Sequence, residues 1–204
     1  MDSSQVLGLS ALAGLTSHLL YFIHGEHHMQ APLLFKFATV FFITVSVIQA
    51  RLYHASSGEA VMNTVQILTS YLSALFTSMI LYRRFFHPLR QFPGPVLMSL
   101  TKIDHLIRSR KLDNFVQLDK LHKTYGDFVR TGPNELTVSR GAALPALLSA
   151  RSLCTRSPWY DFTKPNTSLV TTRDKTFHDQ KRRAWDHAFS LKGIGTLLQC
   201  VLYN

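Results

Sequence analysis

The sequence predicts a mainly α-helical protein: N-terminal transmembrane helices, then a basic α+β portion of helices and one β-hairpin. Three observations carry that expectation. Three apolar segments, Val6–Ile23, Pro32–Ala50 and Val61–Tyr82, each approach the roughly 20 residues that a helix needs to cross a hydrocarbon core. The charge changes abruptly after Tyr82: residues 1–82 carry two basic against three acidic groups, residues 83–204 twenty against nine. Behind a proline-rich connector, helical stripes alternate with short runs of strand-forming residues.

The net charge of +10 over 204 residues therefore resides in the second portion. A basic portion behind an apolar block suits anionic lipid headgroups or an acidic protein partner. Nucleic acid is not expected as a partner, because neither zinc-ligand spacing nor an aromatic-basic strand motif accompanies the charge. Cys154 and Cys200 are lone thiols without C-x-x-C spacing, which excludes a disulfide framework or a structural zinc site.

Taken in order, the apolar segments are interrupted by charge only at Lys36, close to a segment end where it can snorkel. The first lacks the basic n-region of a signal peptide. Arg83 and Arg84 directly follow the third, which marks that end as cytoplasmic and the N-terminus as lumenal; Arg51 in the second loop opposes this weakly. His24, His27 and His28 lie between the first two segments, but their spacing is not that of a known ligand set, so they read as a polar loop.

Three prolines in FFHPLRQFPGP (85–95) forbid a continuing helix and favour an extended, stiff connector. Asn114–Tyr125 has a helical stripe of Phe115, Leu118, Leu121 and Tyr125, with Gly126 as its C-cap. Phe128–Thr131 and Leu136–Val138 flank Gly132-Pro133-Asn134 as a hairpin. Gly141–Ala150 reads as a short helix and Ser157–Thr172 as a loop. The glycosylation pattern at Asn166 is discounted for a cytoplasmic face.

Thr176–Ser190 is the most informative helix. His178, Arg182, Trp185 and Phe189 share one stripe, while Asp179, Arg183 and Asp186 are expected away from it. Asp174 stands where a carboxylate caps the positive helix end. A cation and an imidazole on an aromatic stripe suit an anionic group attached to something flat and apolar; an ordinary amphipathic helix with a snorkelling arginine is the plainer alternative.

HPLRQFPGP at 87–95, KTYGDFVRTGPNELTV at 123–138, RSPWYDF at 156–162 and HDQKRRAWDHAFS at 178–190 together resemble the N-terminal part of a membrane-bound cytochrome P-450 of the fungal microsomal type. These are haem-thiolate monooxygenases, and the order and spacing of the four stretches match over roughly half the chain. The resemblance implies residues 1–82 as membrane region, 83–95 as hinge and 96–190 as part of the cytochrome P-450 α+β domain. It implies haem as cofactor, with His178 and Arg182 on its propionates, and a substrate-pocket segment bearing Trp159, Tyr160 and Phe162. For those three aromatics, core packing is an equal alternative. It further implies a small apolar substrate, an NADPH-cytochrome P-450 reductase as electron donor, and a multi-pass position in the endoplasmic reticulum membrane with residues 83–204 cytosolic.

The departures concern the chemistry itself. In that family dioxygen is split at an iron held by a cysteine thiolate, within a Phe-x-x-Gly-x-Arg-x-Cys-x-Gly loop. Neither Cys154 nor Cys200 has that context. The family's Glu-x-x-Arg pair is missing, since Glu26, Glu59 and Glu135 are followed three residues later by Met29, Met62 and Val138. Its acidic-Thr helix is missing too. No catalytic or metal-ligating residue is assigned, and the expectation is a truncated, inactive chain. Residues 191–204 do not resemble the family and are expected to derive from retained intron or a shifted frame. The rival function is a membrane adaptor or assembly protein with no redox role.

Overall fold

A computed structural model describes residues 2–52, 54–149, 152–190 and 194–195. The chain divides into two compact units, residues 1–27 with 31–146 and residues 28–30 with 147–204.

The first unit opens with three long helices, α1 (Ser3–Ser17), α2 (Ala31–Leu52) and α3 (Ser57–Leu81). Wide turns extend α1 to Phe22 and α3 to Phe86, closed by Ile23 N–H on the His18 oxygen and His87 N–H on the Tyr82 oxygen, both at 2.9 Å. Three segments are thus long and apolar enough to cross a membrane: Ser3–Phe22, His28–Leu52 and Ser57–Phe86. Each runs further than the apolar residues alone indicate. At α3 the reason is a capping box: Ser56 Oγ accepts from Glu59 N–H at 3.3 Å, and the Glu59 carboxylate accepts from Ser56 N–H at 3.0 Å.

The first and third helices pair side by side and in parallel. Ser10 Oγ donates to the Ile67 oxygen at 2.7 Å, Ser70 Oγ to the Leu7 oxygen at 2.9 Å, and His18 Nδ1 meets Ser78 Oγ at 2.7 Å. Between these bonds Gly14 is buried, and a Cβ there would come within 2.3 Å of the Tyr71 oxygen. Close backbone approach through small residues, with hydroxyls bridging, is how helices associate where lipid removes the hydrophobic drive. The second helix joins this pair through Thr64 Oγ1, which accepts from Ser46 Oγ at 3.1 Å and from Gln49 Nε2 at 3.3 Å.

The connector after α3 departs from the extended form that its prolines suggest. Pro88–Gln91 is a 3-10 turn capped by His87, and only Phe92–Pro95 is extended. Proline suits the first position of such a turn, where no amide donor is needed. Two short helices that the apolar pattern does not announce follow, α4 (Val96–Leu100) and α5 (Lys102–Arg108). Then comes α6 (Asn114–Tyr125), ending at Gly126 with φ +93°.

Strands β1 (Phe128–Gly132) and β2 (Glu135–Val138) form an antiparallel hairpin. Phe128, Val129 and Arg130 oppose Val138, Thr137 and Leu136, and a register shift at Thr131 brings Gly132 opposite Glu135. Pro93 lies against the free edge of β1: its oxygen accepts from Arg130 N–H at 2.9 Å. Gly94 is required there, since a Cβ would stand 2.5 Å from the Arg130 oxygen. Val129 and Met98 are fully buried and form the core where α4 covers β1. After a 3-10 turn at Gly141–Ala143, helix α7 covers Leu144–Leu148.

The second unit holds the stretch expected to be loop-like, which contains a 3-10 turn at Pro158–Thr163, and helix α8 (Lys175–Ala188). The tail expectation for residues 191–204 and the Cys200 thiol lie outside the described residues, apart from positions 194 and 195.

Candidate functional site

Helix α8 starts where a carboxylate can satisfy its orphan amides. Asp174 Oδ1 accepts from Thr176 N–H at 2.8 Å and Phe177 N–H at 3.1 Å. His178 and Arg182 stand one turn apart, followed by Trp185 and Phe189, whose rings stack at 5.3 Å with 4° between their planes. Both aromatics face outward, 53% and 64% exposed.

The acidic residues of α8 do not stay away from this stripe. Asp186 Oδ1 accepts from Arg182 Nε at 2.7 Å, and Asp179 Oδ1 lies 3.1 Å from His178 Nδ1. Arg182 and Asp186, four apart, are neighbours on the helix surface, and Asp179 is shared between Lys175, four residues before it, and the adjacent His178. The hydrogen bond from His178, with Lys175 nearby, holds the Asp179 carboxyl below its usual range, and the Asp186 carboxylate raises the Arg182 pKa.

Arg182 spends only Nε on Asp186, and its terminal nitrogens make no hydrogen bond among the described residues. A guanidinium with donors to spare, an imidazole one turn before it and an exposed aromatic stack one turn after fit a carboxylate borne on a flat ring. A haem propionate has that chemistry. An iron ligand is a separate matter. Cys154 is the described cysteine, an exposed free thiol whose amide is bonded to Ser152 Oγ at 3.1 Å. Among the described residues, no group of three His, Cys, Asp or Glu side chains gathers as a metal site.

The aromatic candidates form a cluster of their own. Trp159 packs on Phe162 at 4.5 Å and edge-on to Tyr160 at 5.7 Å, while the Arg156 guanidinium lies 5.5 Å over Tyr160. Asp161, between them, accepts from Arg173 Nη1 at 2.6 Å and pairs with Lys164 at 3.1 Å. Lys164 and Arg173 hold its carboxyl below the usual range. Arg173 immediately precedes the α8 cap and also donates to the Arg156 oxygen at 3.2 Å. The aromatic turn is thereby tied to the start of the helix bearing His178 and Arg182.

That tie escapes a sequence reading because Arg173 and Asp161 are twelve residues apart in irregular backbone, with no period to align them. Arg130 and His87 escape it as well. Arg130 sits in a strand that would place it on an ordinary polar face, yet it is buried, at 3% exposure.

No family model and no solved structure matches the chain. Curated proteins do. Tryprostatin B 6-hydroxylase of Neosartorya fischeri is 36% identical over 192 residues, covering 92% of this chain and 35% of that protein. Cytochrome P-450 monooxygenase lcsK of Purpureocillium lilacinum is 36% identical over 207 residues, covering 98% and 37%. Cytochrome P-450 monooxygenase nodW of Hypoxylon pulicicidum is 36% identical over 203 residues, covering 96% and 36%. The chain spans about a third of the length of these relatives. That family implies a haem cofactor, and likeness at this level across nearly all of the 204 residues leaves little of the chain outside the match: it belongs to the cytochrome P-450 monooxygenase family.

Proposed function

We propose that this chain is the membrane-anchoring and propionate-contacting part of a cytochrome P-450 monooxygenase that oxidises a small apolar molecule. The observation that carries this reading is the outward face of α8, where Arg182 keeps unused donors beside His178 and the Trp185–Phe189 stack. Haem, when bound, supplies an iron that activates dioxygen once a cysteine thiolate ligates it. The role of this chain is narrower. Arg182 and His178 hold and orient propionate oxygens, the stacked rings shield the ring edge from water, and Trp159, Tyr160 and Phe162 offer apolar contacts for substrate. An NADPH-cytochrome P-450 reductase delivers the electrons.

The anchor reading rests on three apolar helices, with α1 and α3 running in the same direction. With three spans, the positive charge of Arg83 and Arg84 at the end of the third supports a cytosolic position for residues 83–204 at the endoplasmic reticulum. A C-terminal tag digested by protease in sealed microsomes is the expected result; a protected tag overturns the topology.

The haem test has two arms. In a full-length relative carrying this helix, Arg182→Ala lowers haem retention on mild heating; unchanged retention returns α8 to an ordinary amphipathic helix. Residues 1–204 with haem precursor, reduced and exposed to carbon monoxide, give no thiolate-type band, because neither cysteine has the ligating context. Such a band would make Cys154 the first suspect. A second reading, a membrane adaptor or assembly protein with no redox role, rests on the basic portion behind three apolar helices. Haem titration separates the two.

A further inference from the structure

The collar where the third span meets the connector holds four arginines and, among the described residues, no carboxylate paired with any of them. Arg130 is buried and spends its donors on carbonyls alone: Nη1 on Arg83 at 3.1 Å, Nη2 on Pro133 at 2.8 Å and Nε on Gly132 at 3.4 Å. Arg83 Nη1 donates to the Leu100 oxygen at 2.7 Å. These two cations are fixed in place, and neither is neutralised by its partners.

The other two are tethered to one residue. Arg90 Nη1 donates to the Phe85 oxygen at 2.8 Å, and the Arg84 guanidinium lies 5.5 Å over the Phe85 ring. Phe85 and Phe86 are both exposed, Phe86 by 74%, at the end of a segment long enough to span a bilayer. Repulsion within the collar is felt by its members: burial, then Arg83 and Arg84, lower the Arg130 pKa. Burial, with Arg130 and Arg83, also outweighs the bond to Asn134 and lowers that of His87.

We propose that this collar binds one anionic phospholipid, its phosphate held by Arg84 and Arg90 and its acyl chains lying along Phe85 and Phe86. Arg83 and Arg130 supply fixed positive field behind the phosphate. A buried cation without a counter-ion is costly, and a phosphate at headgroup depth supplies the missing charge. Phosphate also suits guanidinium forks better than ammonium groups. The exposed rings favour a lipid over a free phosphate, since only a lipid covers them. The proposal rests on the reading that Ser57–Phe86 crosses a bilayer.

The test is lipid retention by the full chain. Residues 1–204 are reconstituted in phosphatidylcholine vesicles doped with phosphatidic acid, extracted in mild detergent, purified, and their bound lipid quantified. Phosphatidic acid is retained well above its bulk fraction. The Arg84→Gln, Arg90→Gln double variant loses roughly thirtyfold of that enrichment, the scale of removing two juxtamembrane cations. A Lys120→Gln, Lys123→Gln control keeps it. No enrichment in the parent chain, or equal enrichment in the Arg84/Arg90 variant, overturns the proposal. Displacement of the lipid by inorganic phosphate, or by an oligonucleotide at equal charge, overturns it in favour of a soluble anion site. Release of the chain by alkaline carbonate would instead sink the spanning reading beneath it.

Discussion

Arg130 Nη1 donates to the backbone oxygen of Arg83 at 3.1 Å, so the first strand of the hairpin is bonded to the last turns of the third apolar segment. The bond joins residues 47 positions apart and bypasses the proline-rich connector between them. A cation at a helix C-terminus also opposes the negative end of the helix dipole.

Arg130→Met should therefore loosen the hairpin from the span. Three carbonyls lose a charged donor, and the cost expected is about 3 kcal/mol. Hydrogen exchange at Val129 and Thr131 reports it directly; unchanged protection would show that Pro93 and Met98 suffice to hold β1.

The α1–α3 pair depends on the absence of a side chain at Gly14. Gly14→Leu must push the helices apart, since even a Cβ would sit 2.3 Å from the Tyr71 oxygen. Overpacking of this kind costs about 1–3 kcal/mol. Cysteines placed at Ser10 and Ile67 should cross-link in the parent chain and far less in the variant. Gly8→Leu, with nothing within 4 Å of its Cβ position, should leave the cross-link intact.

His87 makes the collar sensitive to acid. Its Nδ1 accepts from Leu89 N–H at 3.0 Å and its Nε2 lies 3.0 Å from Asn134 Oδ1, an arrangement that suits the neutral ring with the proton on Nε2. Burial, Arg130 and Arg83 lower its pKa below the unfolded value near 6.5. The unfolded chain then binds the proton more readily, so stability is whole above about pH 6.5 and falls as pH drops toward the folded pKa. Unfolding followed between neutral and mildly acidic pH should show this loss, and His87→Gln should flatten it.

Asp174→Ala removes the acceptor for two amides at the start of α8. The helix should lose about 1 kcal/mol. Faster amide exchange at Thr176 and Phe177, with β1 unaffected, is the expected signature.

Much of this was legible in local pattern. The α6 stripe with Gly126 behind it, the hairpin around Gly132-Pro133-Asn134, and Asp174 ahead of α8 all stand where the sequence places them. Each is decided within a few residues, by periodicity, turn chemistry or capping. The site is different. His178 and Arg182 follow from spacing, but their engagement by Asp179 and Asp186 depends on side-chain rotamers, which no period in the chain sets.

By itself, then, the sequence determined which segments are apolar enough for a membrane, where the charge begins, and which side chains share a face of α8, because those properties belong to composition and period. Only the tertiary structure decided that α1 pairs with α3 in parallel. Gly14 and the serines permit close approach wherever they occur along an apolar helix, and the partner is chosen by matching Tyr71, Ser70 and Ser78 at the same heights. It also decided that Arg130, on a strand of ordinary polar alternation, turns inward to the end of a distant helix. Long-range hydrogen bonds leave no period in the chain, and carbonyl acceptors are present at every residue.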